Sequence, residues 1–230
     1  MPSLAALEAA LAPSGMALRG GFHPRAEDGV PTLGDGRAAA TLVLVGTIGA
    51  SWWPVFAASP EAQDGAADPL DRWTRRWLTA LAAECGAMPL FPFGGAPHLP
   101  FQRWAQRAEP VAPSPLGILI HPDYGLWHAY RGALAFAERL VLTPRAGRAS
   151  PCESCTDRPC LTACPVGAFG SSGYDVEGCV GYLDSAAGTE CLAGGCQARR
   201  ACPIGPIYRY GPDAAAFHMR AFHRARRAER

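Results

Sequence analysis

The chain has 230 residues, 49% of them hydrophobic, with 21 basic and 20 acidic side chains and a formal net charge of +1. It can bury one large core, or a medium domain plus a small one, and the composition excludes a disordered or fibrous protein. Near-neutrality predicts neither a nucleic-acid binder nor an acidic-tail protein, and every basic residue is arginine, as in a protein from a GC-rich genome. The start, MPSLAALEAALAPSG, lacks the basic opening and apolar run of a signal peptide, and no run reaches the eighteen apolar residues of a membrane span. These features predict a soluble, cytoplasmic protein with no membrane and no nucleic-acid partner.

In chain order, Ser3 to Leu11 predicts a short helix, capped by Ser3 and ended by Pro13-Ser14-Gly15. Gly20 to Gly36 reads as loop. Ala39 to Gly49 is a continuous apolar, β-branched run, the pattern of a strand buried on both faces in a sheet covered by helices. Trp52 and Trp53 follow at its exit, placed either to line a planar ligand or to pack in the core. From Asp68 to Cys85, Leu70, Trp73, Trp77 and Leu81 recur at helical spacing, with Pro69 suited to the first turn and Cys85 read as a small hydrophobe at the end. Ala87 to Phe93 predicts an edge strand with prolines. The following Gly94-Gly95 loop lacks the spacing of a dinucleotide fingerprint, and Gln102 to Arg107 reads as a helical turn. Gly117 to His121 and Trp127 to Phe136 predict an antiparallel hairpin around Pro122-Asp123-Tyr124-Gly125, extended by Arg139 to Thr143. His121 and His128 are candidate ligands or acids, or else satisfied structural histidines.

Eight of the nine cysteines lie between Cys152 and Cys202, and two of them are followed directly by proline, Cys164-Pro165 and Cys202-Pro203. That punctuation belongs to bacterial two-cluster ferredoxins. An odd total with such uneven clustering argues against a disulfide framework. Zinc ribbons use four ligands in two pairs, whereas eight thiolates without interspersed histidine suit two 4Fe-4S clusters.

The stretch Ile120-His121-Pro122-Asp123-Tyr124-Gly125-Leu126-Trp127-His128-Ala129-Tyr130-Arg131-Gly132 resembles the IHPxxGxWxAxRG segment of the CblC (MMACHC) cobalamin-processing proteins. The cysteine arrangement, with Cys179-Val180-Gly181-Tyr182-Leu183, resembles that of epoxyqueuosine reductase, whose catalytic domain is related to CblC and to corrinoid reductive dehalogenases. The resemblance implies an α+β fold: a nitroreductase-like sheet domain covered by helices and holding base-off cobalamin, followed by a small bacterial dicluster ferredoxin-like domain. By the same resemblance His121, Trp127 and Arg131 are candidates for shaping a corrinoid pocket; no catalytic residue is assigned. No DxHxxG pattern offers a histidine to cobalt. Residues 94 to 108 contain no carboxylate to match the acid of epoxyqueuosine reductase, so that particular reaction is not expected.

The first run is Cys152-x2-Cys155-x4-Cys160-x3-Cys164 and the second Cys179-x11-Cys191-x4-Cys196-x5-Cys202. If the last cysteine of each run crosses to the other cube, as in two-cluster ferredoxins, cluster I takes Cys152, Cys155, Cys160 and Cys202, and cluster II takes Cys164, Cys179, Cys191 and Cys196. In the alternative, each run holds its own cube. The domains expected are 1–148, nitroreductase/CblC-like; 149–211, ferredoxin; and 212–230, a basic tail with Phe217 and Phe222 as anchors. From Pro151 to Phe217 acids outnumber arginines, which suits docking of a basic redox donor protein of reductase or flavodoxin type. The expected function is electron transfer through two 4Fe-4S clusters to an N-terminal site, a small-molecule or corrinoid substrate reduced in cobalamin processing. The rival is a ferredoxin-like carrier whose N-terminal domain only docks, and a third reading places a flavin there.

Overall fold

The structure is a computed structural model describing residues 3–145, 147–170 and 173–229. The chain divides into two compact units, one formed by Met1–Pro110 with His128–Arg148, the other by Val111–Trp127 with Ala149–Arg230. The chain passes from one unit to the other at 148/149, but 111–127 also group with the cysteine-rich segment and the tail belongs to the same unit.

The first unit opens with α1 (Leu4–Leu11), whose first turn is capped by Ser3 Oγ accepting the Ala6 N–H at 3.1 Å, and which buries Leu7 and Leu11. The strands β1 (Met16–Phe22) and β2 (Thr41–Ile48) follow, then two short helices, α2 (Trp53–Ala57) and α3 (Pro60–Gln63). The long helix α4 (Pro69–Cys85), strand β3 (Met88–Leu90) and helix α5 (Phe101–Ala108) come next. After β4 (Ala112–Pro113) and β5 (Leu119–Ile120) of the second unit, the chain returns as β6 (His128–Phe136). The sheet has the order β1-β2-β6-β3 and is antiparallel throughout. Its centre is β2, where Thr41 through Thr47 are all buried, as a strand covered on both faces requires. Helix α4 buries Leu70, Trp73, Leu78 and Leu81, and Thr74 satisfies its hydroxyl on the Leu70 carbonyl at 2.8 Å. The edge position expected for the proline-bearing β3 is observed, because Pro89 cannot donate to a further neighbour.

Two local expectations fail. The stretch MALRGGF, partly read as loop, is β1; its ladder shifts register between Leu18 and Gly21, and Gly20 takes φ +67° there. The predicted hairpin does not form either. Its turn exists, with His121 and Gly125 exchanging backbone hydrogen bonds at 2.8 and 2.9 Å, but β5 pairs with β4 while β6 pairs with β2 and β3. The strand ends at Phe136, short of the extension expected over Arg139 to Thr143.

The second unit adds α6 (Pro159–Thr162), the hairpin β7 (Phe169–Gly170) and β8 (Gly173–Tyr174), then α7 (Val176–Asp184), α8 (Thr189–Gly194), α9 (Gln197–Arg200) and α10 (Pro212–Ala228). Asp175 caps α7 by accepting the Gly178 N–H at 2.9 Å. The core gathers Leu116, Ile120, Leu126, Ala198 and Cys202, with Cys152, Cys160, Cys164 and Cys196 packed against it. Cysteines here occupy the place that branched aliphatics fill elsewhere. Helix α10 packs on α8 and α7, buries Ala214, Ala215 and Ala216, and is tied to Asp184 through His223 Nε2 at 2.8 Å and Arg227 Nε at 3.4 Å. No helix among the described residues is long and apolar enough to cross a membrane.

Candidate metal centre

None of the nine cysteines is in a disulfide. Cys164, at the end of the first run, lines one small cavity together with Cys179, Cys191 and Cys196; Val166, Phe169, Leu183, Ala198 and Met219 close it with apolar atoms. The remaining four are charge neighbours of one another. Cys160 feels Cys202, Cys152 and Cys155, Cys152 feels Cys202 and Cys155, and Cys202 feels Cys155. Neighbouring thiols thus fall into two sets of four, and each set joins one cysteine from one run to three from the other.

Burial is the first cause that pushes up the thiols of Cys152, Cys160, Cys179, Cys191, Cys196 and Cys202. Nearby thiols add to that rise for all six, while Arg158 near Cys152, Arg199 near Cys196 and Arg209 near Cys202 oppose it. Thiols gathered in this way resist ionising together unless cationic charge is placed among them. Bound metal supplies that charge and deprotonates its thiols outright. Among the described residues no three His, Cys, Asp or Glu side chains close on a single ion. A lone zinc would draw its thiolates to about 2.3 Å from one centre. An all-sulfur donor set is the soft-ligand chemistry of iron–sulfur sites, and around Cys164, Cys179, Cys191 and Cys196 its surrounding is apolar.

Several flanking residues carry no recognisable sequence signal. The Arg199 guanidinium lies 4.7 Å over both the Trp127 and Tyr210 rings, and its Nε donates to the Leu126 carbonyl at 3.1 Å. Tyr174 stacks on Phe169 at 4.6 Å, and burial, followed by its hydrogen bond with Cys179, pushes its phenol up.

The three residues expected to shape a pocket are divided between the units. His121 and Trp127 are in the second. His121 is buried, stacks on Tyr124 at 4.1 Å, and accepts the Asp123 and Tyr124 N–H groups at 3.1 and 3.4 Å on Nδ1, which puts its proton on Nε2. Trp127 is 2% exposed beneath Arg199. Arg131 is in the first unit, paired with Asp71 at 2.5 Å and donating to Thr74 Oγ1 at 3.2 Å. Trp52 is core. It packs with Trp53 and Phe56, which continue to Trp73, and its Nε1 donates to the Gly49 carbonyl at 3.1 Å. Cys85, read as a spare hydrophobe, is half-buried at the end of α4, where burial raises its thiol and Glu84 is its charge neighbour.

Sequence reading missed a buried ionic network in the first unit. Arg19 has no exposed surface and holds Glu109 through two hydrogen bonds, Nε to Oε1 at 3.0 Å and Nη2 to Oε2 at 2.7 Å. Its Nη1 donates to the Thr47 carbonyl, and Tyr130 donates its hydroxyl to Glu109 Oε2 at 2.6 Å. An arginine at an alternating position of a glycine-interrupted segment gives no hint that it is enclosed.

No protein-family model matches the sequence, and no curated protein does. Solved structures similar to it include a selenomethionine-labelled epoxyqueuosine reductase, 15% identical with a TM-score of 0.43, over 77% of this chain and 52% of that one. Another is epoxyqueuosine reductase with an epoxyqueuosine-modified tRNA stem loop, 17% identical with a TM-score of 0.47, over 91% of this chain and 68% of that one. The chain spans about half the length of the first. Likenesses of this size leave function to the chain's own residues.

Proposed function

We propose that the chain is an iron–sulfur reductase subunit in which two 4Fe-4S clusters deliver single electrons to an acceptor at the sheet unit. Cys152, Cys155, Cys160 and Cys202 would hold one cluster, and Cys164, Cys179, Cys191 and Cys196 the other. The observation that carries this reading is the gathering of Cys164 with three cysteines of the second run around one apolar cavity. Bound clusters supply one-electron storage. The chain's own residues hold the thiolates in place, exclude water with Phe169, Leu183 and Met219, and set positive charge beside the thiols through Arg199 and Arg209.

The acceptor proposed from the resemblance is a corrinoid, with the sheet unit in the role of the nitroreductase-like domain, the cysteine unit in that of the ferredoxin, and a reductase or flavodoxin as donor. His121, Trp127 and Arg131 keep their proposed place near that acceptor, in addition to the contacts they make within their own units. One observation favours the second reading, an electron carrier whose sheet unit only docks: Trp52 is enclosed among aromatic side chains instead of lining a cavity. The stem loop bound to the second reductase is a property of that protein; it reopens the question of a nucleic-acid partner, which near-neutral charge had argued against.

Anaerobic reconstitution followed by iron and sulfide analysis tests the clusters. Cys202→Ser should lose the cluster of the first run and Cys164→Ser that of the second, each removing about half of the iron, whereas Cys85→Ser should retain all of it. Equal loss in Cys85→Ser overturns the ligand sets. Mixing the reconstituted protein with cyanocobalamin and a reductant then separates the two readings. Conversion to the cob(II)alamin spectrum supports the reductase, and an unchanged spectrum with intact clusters supports the carrier.

A further inference from the structure

Away from the thiols, the first unit contains a cavity of about 500 Å³ between the end of β1, the last turn of α5 and the segment after β6. Four arginines line it, Arg25, Arg107, Arg139 and Arg145, together with His23, and no carboxylate does. Such a gathering of guanidinium groups is repulsive unless something negative enters. Some of the repulsion is relieved from behind. Asp28 pairs with Arg107, and Arg25 has a distant contact with Glu27 at 3.8 Å. Neither carboxylate is among the described residues that line the cavity.

Two of the four guanidinium groups and the His23 ring are held in position. Arg107 lies 4.3 Å over the Phe22 ring and is fixed by Asp28; Arg145 donates Nε to the Glu109 carbonyl at 2.9 Å; and His23 has Nδ1 3.0 Å from the Ala40 carbonyl, which orients its ring. Stacking and single-point anchoring leave donors of the planar fork available for another acceptor. Guanidinium forks match the oxygens of a phosphate two at a time, and the volume is that of a small-molecule site.

We infer that this cleft binds a small phosphorylated ligand carrying two or more negative charges, held by Arg25, Arg107, Arg139 and Arg145 with His23 at its side. Arg139 and Arg145 are exposed, so removing them leaves the core untouched.

Calorimetric titration of the full-length reconstituted protein with inorganic pyrophosphate and with ADP tests the inference, at constant ionic strength set by sodium chloride. Binding should be saturable for wild type and at least tenfold weaker in Arg139→Ala/Arg145→Ala, with iron content and melting temperature unchanged. In Arg220→Ala/Arg224→Ala, which removes two exposed arginines of α10, binding should match wild type. The inference is overturned if neither anion binds at millimolar concentration, if both double variants weaken binding equally, or if chloride alone abolishes it. An RNA stem loop forms the last arm. Should it bind through Arg139 and Arg145 while pyrophosphate and ADP do not, the small-ligand assignment fails.

Discussion

The buried Arg19 gives the sharpest test of how the sheet unit is held together. Its guanidinium has no exposed surface, and it is bonded at both ends of the Glu109 carboxylate, at the Thr47 carbonyl, and 4.8 Å over the Tyr130 ring. Arg19→Met keeps most of the volume and removes the charge, so Glu109, 13% exposed, is left with only the Tyr130 hydroxyl. Breaking one side of an enclosed pair costs about 3–5 kcal/mol. Glu109→Gln keeps one acceptor for Arg19 and should cost less, about 1.5–3 kcal/mol for the lost charged hydrogen bond. The double variant leaves no unpaired charge, and should be less destabilised than the sum of the two by roughly 2 kcal/mol. Urea unfolding followed by tryptophan fluorescence reads the correct unit, because Trp127 alone of the six tryptophans lies outside it. A cost below about 1 kcal/mol for Arg19→Met, or strict additivity of the two singles, would refute the claim that this pair is a coupled, enclosed element.

Three further outcomes follow from single contacts. The Arg76 hydrogen bond draws the Glu61 carboxyl down to about 2 from 4.5, against the opposing effect of burial. The folded value lies below the unfolded one, so this contribution is complete above pH 4.5 and disappears as pH falls toward 2; Arg76 is 51% exposed, which limits it to about 1 kcal/mol. Glu61→Gln should therefore be less stable than wild type at pH 7 and converge with it in acid, and a gap that does not vary with pH contradicts the assignment. In Gly46→Ala the new methyl group would collide with the Ala129 carbonyl oxygen and lie 3.1 Å from Tyr130 Cα, costing about 1–3 kcal/mol in a melting experiment; an unchanged melting temperature would show that β2 and β6 separate freely there. Arg199→Ala removes a cation stacked on Trp127 and Tyr210 and should lower stability by about 1–2 kcal/mol, with Arg199→Lys recovering only part because lysine lacks the planar fork. Full recovery by lysine would mean that charge alone matters.

Strong local patterns are legible in the sequence, and features that depend on distant partners are not. The strand β2 shows in the sequence because burial on both faces leaves an unbroken apolar run from Leu42 to Val45, and α4 shows because Leu70, Trp73 and Leu81 repeat at helical spacing. By contrast β1 contains Arg19, Gly20 and Gly21, a bulge and an enclosed cation whose partner Glu109 lies ninety residues away, so its pattern breaks where its role begins. The hairpin error has the same origin. Pro122 to Gly125 do turn the chain, but turn chemistry does not specify which strand an arm will pair with, and both arms found better partners elsewhere. Cysteine spacing is read from chemistry instead of periodicity and does not depend on which strands pair, while Arg199 and Arg209 beside the thiols have no spacing to betray them.

The segment that carries the corrinoid resemblance has a second use, which one glycine can expose. Gly125 takes φ +58°, and a Cβ there would collide with the Ile204 carbonyl oxygen; Gly205 in turn sits against the Tyr124 and Asp123 backbone, and Tyr124 packs on Tyr208 at 5.0 Å. The turn is rigid on its own account, since His121 Nδ1 accepts two of its N–H groups. It therefore braces the chain immediately after Cys202, a member of the first thiol set, and the loop is part of the cysteine-rich unit. Gly125→Ala combines left-handed strain of about 1–2 kcal/mol with overpacking of about 1–3 kcal/mol, and the cheapest relief is to move Ile204 and with it Cys202. Reconstituted Gly125→Ala should consequently lose the cluster held by Cys152, Cys155, Cys160 and Cys202 and keep the other, about half of the iron. Gly86→Ala has the same backbone strain at φ +69° but nothing within 4 Å of the added carbon, and it should keep all of the iron. Full iron in Gly125→Ala would detach the turn from the cluster. Loss from the set of Cys164, Cys179, Cys191 and Cys196 instead would show that strain at Gly125 is relieved along a path other than Ile204.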